Sequence, residues 1–151
     1  KTLTLRFCSA AETDLEAISQ LDASAFEFPW SFADFEGSLK AGHQFLLLKD
    51  DDRLLGFAVY MQIFEQSELL TIAVTPSEQG MGYGKLILNE VLARLAANQA
   101  ESLFLEVRVS NTRARALYHS VGFQEISSRK GYYPSRDGRE DAIVMQKLLG
   151  N

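Results

Sequence analysis

The 151 residues are 46% hydrophobic and 23% charged, an ordinary balance for a soluble globular chain of one-domain size with a real core. A formal net charge of −5 argues against the basic footprint of a nucleic-acid binder and suits a basic peptide partner. Cys8 is the single cysteine, so no intrachain disulfide can form, and with only His43 and His119 beside it no Cys/His metal cluster can be assembled.

No apolar run is long enough to cross a membrane and no signal-peptide pattern opens the chain, so a cytoplasmic protein with no membrane partner is expected. The chain opens on Lys1 rather than Met, which suggests trimming ahead of it.

Leu3, Leu5 and Phe7 alternate with polar residues and predict a half-buried first strand. Thr13 or Asp14 can cap a helix carrying Leu15, Ile18, Leu21 and Ala25 on one face, and Pro29 breaks it. Ser31 is the expected N-cap of a second helix reaching Lys40. Three strands follow, at Phe45 to Leu48, Leu54 to Met61 and Leu69 to Val74, with Asp50-Asp51-Asp52 turning the first pair into an antiparallel hairpin. A glycine-rich stretch leads into a helix with Leu88, Val91, Leu92 and Leu95 on one face. Leu103 to Val109 alternates as a strand, and Ala114, Leu117, Tyr118 and Val121 mark a short helix closed by Gly122. Two last strands, Phe123 to Tyr132 and Arg139 to Lys147, are expected around a Pro134 to Gly138 turn. The order predicts an α/β fold, one mixed sheet flanked by helices, in a single domain over residues 1–151.

Three segments carry chemistry. In Val74-Thr75-Pro76-Ser77-Glu78-Gln79-Gly80-Met81-Gly82-Tyr83-Gly84-Lys85, a strand end passes through glycines into a helix start, where free N–H groups and the macrodipole favour an anion. The Walker pattern fails because Gln79 and Leu86 stand where Gly and Ser/Thr are needed, and the dinucleotide pattern fails at Lys85. The spacing that fits is Gln-x-x-Gly-x-Gly, at Gln79, Gly82 and Gly84. In Leu105-Glu106-Val107-Arg108-Val109-Ser110-Asn111, strand alternation puts Glu106 on one face with Phe104 and Arg108, a setting that suits a general base. In Ala116-Leu117-Tyr118, the tyrosine lies on its helix's apolar stripe, so its ring should be buried. Taken singly, each has a plainer explanation: a turn entering a helix, a surface glutamate paired with arginine, a packed core tyrosine. Cys8 has no base placed beside it and is not expected to be a nucleophile.

Together, in this order and spacing, the segments resemble the GNAT superfamily of acetyltransferases over essentially the whole chain, with a mostly antiparallel central sheet. Phe28-Pro29-Trp30-Ser31, the Glu106 segment, Tyr132-Tyr133-Pro134 and Asp137 to Ala142 are similar to the bacterial ribosomal-protein alanine N-acetyltransferase group. The resemblance implies acetyl-CoA as co-substrate and no metal. It implies that Ile72, Ala73 and Val74 lay their backbone along the pantetheine, and that Gly80, Met81, Gly82, Tyr83, Gly84 and Lys85 cradle the pyrophosphate. It implies that Asn111 contacts the cofactor arm, that Glu106 is the general base, and that Tyr118 is the general acid, which could protonate the expelled thiolate usefully if its own pKa falls. Trp30, Tyr132 and Tyr133 would flank the acceptor channel, with Glu140 or Asp141 meeting a basic residue of the peptide. Glu78 and Met81 depart from the pattern, and a carboxylate at 78 would weaken cofactor affinity. The acceptor expected is the N-terminal amine, beginning with alanine, of a ribosomal protein. Lysine or small-amine acetylation, a silent acetyl-CoA-binding module and a structural interaction domain are the alternatives.

Overall fold

A computed structural model describes residues 3–150. Its helices are α1 (Leu15–Ala25), α2 (Phe32–Lys40), α3 (Tyr83–Ala97) and α4 (Thr112–Ser120). Its strands are β1 (Leu5–Cys8), β2 (Gln44–Asp50), β3 (Arg53–Ile63), β4 (Gln66–Val74), β5 (Ser102–Arg108), β6 (Gln124–Ser135) and β7 (Gly138–Leu148). The element order is the expected one, and the strands form a seven-stranded sheet ordered β1-β2-β3-β4-β5-β7-β6, flanked by the helices. The chain packs as two compact units. One runs to Met61 and resumes at Thr71–Val91, and the other comprises Gln62–Leu70 and the chain from Leu92.

In the first unit, β1, β2 and β3 pair antiparallel, with Leu5 opposite Asp50 and Gln44 opposite Tyr60. Leu46, Leu47 and Leu48 are all fully buried, as are Phe57, Ala58 and Val59, so both faces of these strands are covered. β1 differs from expectation. Leu3 precedes it and Leu5 is exposed, because a four-residue strand at the sheet edge meets little core. The cap of α2 is as predicted: Ser31 Oγ accepts from Asp34 N at 3.1 Å while Ser31 N donates to Asp34 Oδ2 at 3.0 Å, a reciprocal capping box. That box aims Phe35 into the core, where its ring lies 5.6 Å from Phe57 and 4.9 Å from Trp30. Gly56 lets β3 pack closely, since a Cβ there would fall 2.7 Å from the Ala73 carbonyl oxygen and 2.8 Å from Ile87 Cδ1.

In the second unit, β4 runs parallel to β5 from Gln66 opposite Ser102 to Leu69 opposite Leu105. β7 lies antiparallel to both β5 and β6. Alternation along β5 buries Leu103, Leu105 and Val107 and leaves Phe104, Glu106 and Arg108 half-buried on the other face. The last hairpin departs from the expected turn. Pro134 pairs with Arg139 inside the ladder, and only Arg136 and Asp137 separate the strands. β6 is the edge strand, so the N–H that proline lacks is not needed there.

Candidate active site

The glycine-rich turn bends where a side chain would be strained. Gly80 and Gly82 hold φ of +88° and +86°, in the left-handed region that penalises any Cβ, and the space a Cβ would enter is open at both. The first helical bond of α3 runs from Leu86 N to Gly82 O at 3.1 Å. The N–H groups of Tyr83, Gly84 and Lys85 come before it, at the positive end of a fifteen-residue helix. Gln79 Nε2 donates to Val74 O at 3.3 Å, tying the turn back to the end of β4. Glu78, the acid out of pattern, is turned towards Arg53, whose Nη1 stands 3.5 Å from its Oε1. The negative charge that weighed against an anion here is therefore locally offset.

In the second unit, Glu106 is the hub of an ionisable cluster. Its carboxylate accepts a hydrogen bond from the Tyr132 hydroxyl. Arg129 Nε stands 2.9 Å from its Oε2, in charge contact but without hydrogen-bond alignment, and Oε2 is buried. An arginine that stands against this glutamate is thus Arg129 of β6, which the sequence pattern did not mark. The charge of Glu106 is the largest influence raising the pKa of Tyr132. Tyr133 is pushed up to about 12, by burial first and by Glu106 next.

A break in strand pairing brings the two tyrosines together. Register is regular from Ser127 opposite Val144 to Arg129 opposite Ala142 and resumes at Tyr133 opposite Glu140, leaving residues 130–132 against Asp141 alone. Asp141 Oδ1 fills the gap by accepting from Gly131 N at 2.8 Å. Arg139 clamps the other side, with Nε to Gly131 O at 3.0 Å and Nη2 to Tyr132 O at 2.9 Å. Gly131, at φ +59°, allows the bend. The Tyr132 and Tyr133 rings then meet edge to face at 4.9 Å.

Tyr118 is buried in α4 with its ring 5.7 Å from Phe123. Its hydroxyl does not have the lowered pKa that would make it a ready acid. Burial pushes it up, and Tyr133 beside it adds to the rise. The proton is therefore held firmly, as befits a donor but not an acid that ionises unaided. Asn111 caps α4, its side-chain oxygen accepting from Ala114 N at 3.1 Å. Glu140 is committed inward, to Ser110 N at 2.7 Å and Arg108 Nη1 at 3.2 Å, and its contacts with Ser110 first, side chain and backbone, and then with Arg108 lower its pKa. With Asp141 tied to Gly131, both acids expected to meet the peptide also hold bonds within their own chain. Arg108 is fixed from three sides, since it also donates to Pro134 O at 2.6 Å and lies 4.5 Å from the Tyr133 ring centre.

The Acetyltransferase (GNAT) family matches residues 13–123. The chain belongs to that family. It is 41% identical over 133 residues to a ribosomal protein bS18-alanine N-acetyltransferase of Salmonella typhimurium, spanning 88% of this chain and 90% of the relative. The Escherichia coli K12 protein of the same description is 37% identical over 137 residues, spanning 91% and 93%. Among solved structures, a ribosomal-protein-alanine N-acetyltransferase from Escherichia coli superposes with a TM-score of 0.92 at 34% identity, covering 98% of this chain and 96% of that one. Ard1 from Thermoplasma volcanium, at 19% identity and a TM-score of 0.89, shares the fold. Acetyl-CoA-dependent N-acetyl transfer is accordingly the activity of this GNAT chain.

Other parts of this GNAT chain escaped the sequence reading. Asp22 lies on the buried face of α1, its Oδ2 accepting from Trp30 N at 2.9 Å and its Oδ1 buried without a partner. An aspartate four residues after Ile18, on the apolar stripe, is the signal that marks it. Arg129 and Arg139 carry no such mark, because their partners depend on the irregular pairing of β6 with β7. Trp30 and Asp34 line, with Gly37, Ser38 and His43, an open hollow of about 440 Å³. His43 Nδ1 there stands 2.6 Å from Ser38 Oγ. Among the described residues no three His, Cys, Asp or Glu side chains group as metal ligands, and no helix is long and apolar enough to cross a membrane.

Proposed function

We propose that this acetyltransferase modifies the N-terminal α-amine of ribosomal protein bS18, beginning with alanine, and that its two compact units act as one catalytic domain in the cytoplasm. The observation that carries the reading is the Glu106 carboxylate held by Tyr132 within the Tyr133–Tyr118 neighbourhood, in a chain whose close relatives bear that activity in their names. A net charge of −5 favours encounter with a basic ribosomal peptide.

Acetyl-CoA fits the glycine turn, because two left-handed glycines leave open space beside the helix-start N–H groups that precede the first helical bond of α3. Gly80 to Lys85 would hold its pyrophosphate, with Ile72, Ala73 and Val74 offering main chain past the last β4–β5 pair and Asn111 serving the cofactor arm. Bound there, it supplies an acetyl group activated as a thioester. An α-amine of reference pKa near 8 is largely protonated at neutral pH, and Glu106 takes that proton directly or through water. Main-chain N–H groups of the Ile72–Val74 segment are suited to stabilise negative charge developing on the acetyl oxygen. Tyr118, which burial keeps protonated, would serve as the acid by donating a hydrogen bond to the departing sulfur, the proton that neutralises the thiolate leaving the amine nitrogen as the intermediate collapses. Tyr132, Tyr133 and Trp30 supply rigid aromatic surface for the acceptor's first residues.

The test is a competition between a basic peptide with a free N-terminal alanine and the same peptide blocked at its N-terminus but carrying lysine. Acetylation of the free alanine is expected. Preference for the blocked lysine peptide would reassign the chain as a lysine acetyltransferase.

A further inference from the structure

The two arginines around the Glu106 cluster are held in opposite ways. Arg108 is pinned by Pro134, Glu140 and the Tyr133 ring, and its side chain is only 22% exposed. Arg129 is 57% exposed, and its Nε stands 2.9 Å from Glu106 Oε2 without hydrogen-bond alignment. A contact without alignment at this oxygen forgoes much of the strength of an aligned, charge-assisted arginine–carboxylate pair. Its guanidinium also lies 5.1 Å from the Tyr132 ring centre, a second resting place that does not depend on the carboxylate. The backbone of Arg129 is still in regular register with Ala142, so the side chain can swing while the strand stays put.

We propose that Arg129 is an internal stand-in for the acceptor's ammonium group, occupying Glu106 in the free enzyme and yielding that place to the incoming amine. This rests on the reading of Glu106 as the group that receives the amine's proton. A carboxylate with a buried oxygen is costly without a counter-charge, and a permanently charged guanidinium supplies one while no substrate is bound. An arriving ammonium offers the same charge in a smaller volume with three donors, and the guanidinium withdraws to water and the Tyr132 face. Only a ligand that brings its own positive charge can make this exchange, so Arg129 screens acceptors for an unblocked amine. When the amine later gives its proton to Glu106, Arg129 keeps all of its own. It is a positioning residue, not one that reacts.

The experiment measures, by calorimetry on the CoA-loaded protein, binding of a short alanine-first peptide and of the same peptide N-formylated. Arg129→Gln should bind the free-amine peptide roughly two- to fivefold more tightly than the parent, the scale of removing one competing ion pair, with the formylated peptide unchanged. Arg129→Met should behave like Arg129→Gln, and Arg129→Lys, which keeps the charge, should restore the parent's affinity. In a Glu106→Gln background the gain should vanish. Weaker or unaltered binding of the free-amine peptide in both uncharged variants overturns the proposal. Near-normal turnover by Glu106→Gln would instead defeat the base assignment, and the binding comparison would still report whether Arg129 is displaced.

Discussion

Asp22 Oδ2 accepts a hydrogen bond from the backbone N–H of Trp30 at 2.9 Å, bridging eight residues and tying the α1–α2 connection to the buried face of α1. The carbonyl of the same aspartate accepts from Phe26 N at 3.1 Å, so one residue both ends the helix and anchors the aromatic loop beyond it.

Burial raises the pKa of Asp22 to about 6, with the Trp30 bond opposing. The folded state thus binds a proton more tightly than the unfolded chain, whose value is near 3.8. Below that lower value the contribution to stability is fully present, and it is lost as pH rises through about 6. The loss is on the order of 2–3 kcal/mol. Denaturant titrations from pH 4 to 7 should therefore show the parent losing stability relative to Asp22→Asn, which cannot ionise. Trp30, the single tryptophan, reports the transition by its fluorescence. Parallel curves for the two proteins would mean that Asp22 does not titrate in this window.

Gly82→Val should raise the apparent KM for acetyl-CoA on the order of tenfold, matching the 1–2 kcal/mol an L side chain pays in the left-handed region. The KM for peptide should barely move. Open space around the added Cβ means the fold survives, which circular dichroism can verify. Equal affinity for acetyl-CoA in parent and variant would remove the glycine turn from the cofactor site.

Glu106→Gln and Tyr118→Phe should each lower kcat by roughly 10²–10⁴. The phenylalanine keeps its ring against Phe123, so Tyr118→Phe should bind acetyl-CoA and melt like the parent. Steady-state kinetics beside thermal melts separates a chemical from a packing role. Full turnover in both variants would reduce the pair to packing residues.

The fold was legible wherever one local rule sufficed. Periodicity located α3 and β5, the Ser31 box located the start of α2, and the Asp51-Asp52 turn closed the β2–β3 hairpin. Glu106 and Tyr118 could be singled out because each breaks or extends an apolar pattern. Their surroundings could not, because the irregular register between β6 and β7 decides which side chains converge. Alternation alone would send Tyr132 and Tyr133 to opposite faces, and would not mark Arg129 as standing against Glu106. Glu140 and Asp141 looked available for a ligand for the same reason: their side-chain partners lie 10 to 32 positions away in sequence.

The place of Pro134 in β6 bears on how the molecule behaves in a crowded solution. β6 forms one border of the sheet, and a bare border invites another chain to add a strand. Here the three residues 130–132 break the even spacing of donors and acceptors, and Pro134 offers no donor. Only the stretch from Gln124 to Arg129 keeps a regular ladder, and a register shift between Glu125 and Ser127 interrupts even that. The opposite border, β1, is four residues long. The irregularity that gathers the tyrosines around Glu106 therefore also keeps the sheet from growing into an aggregate.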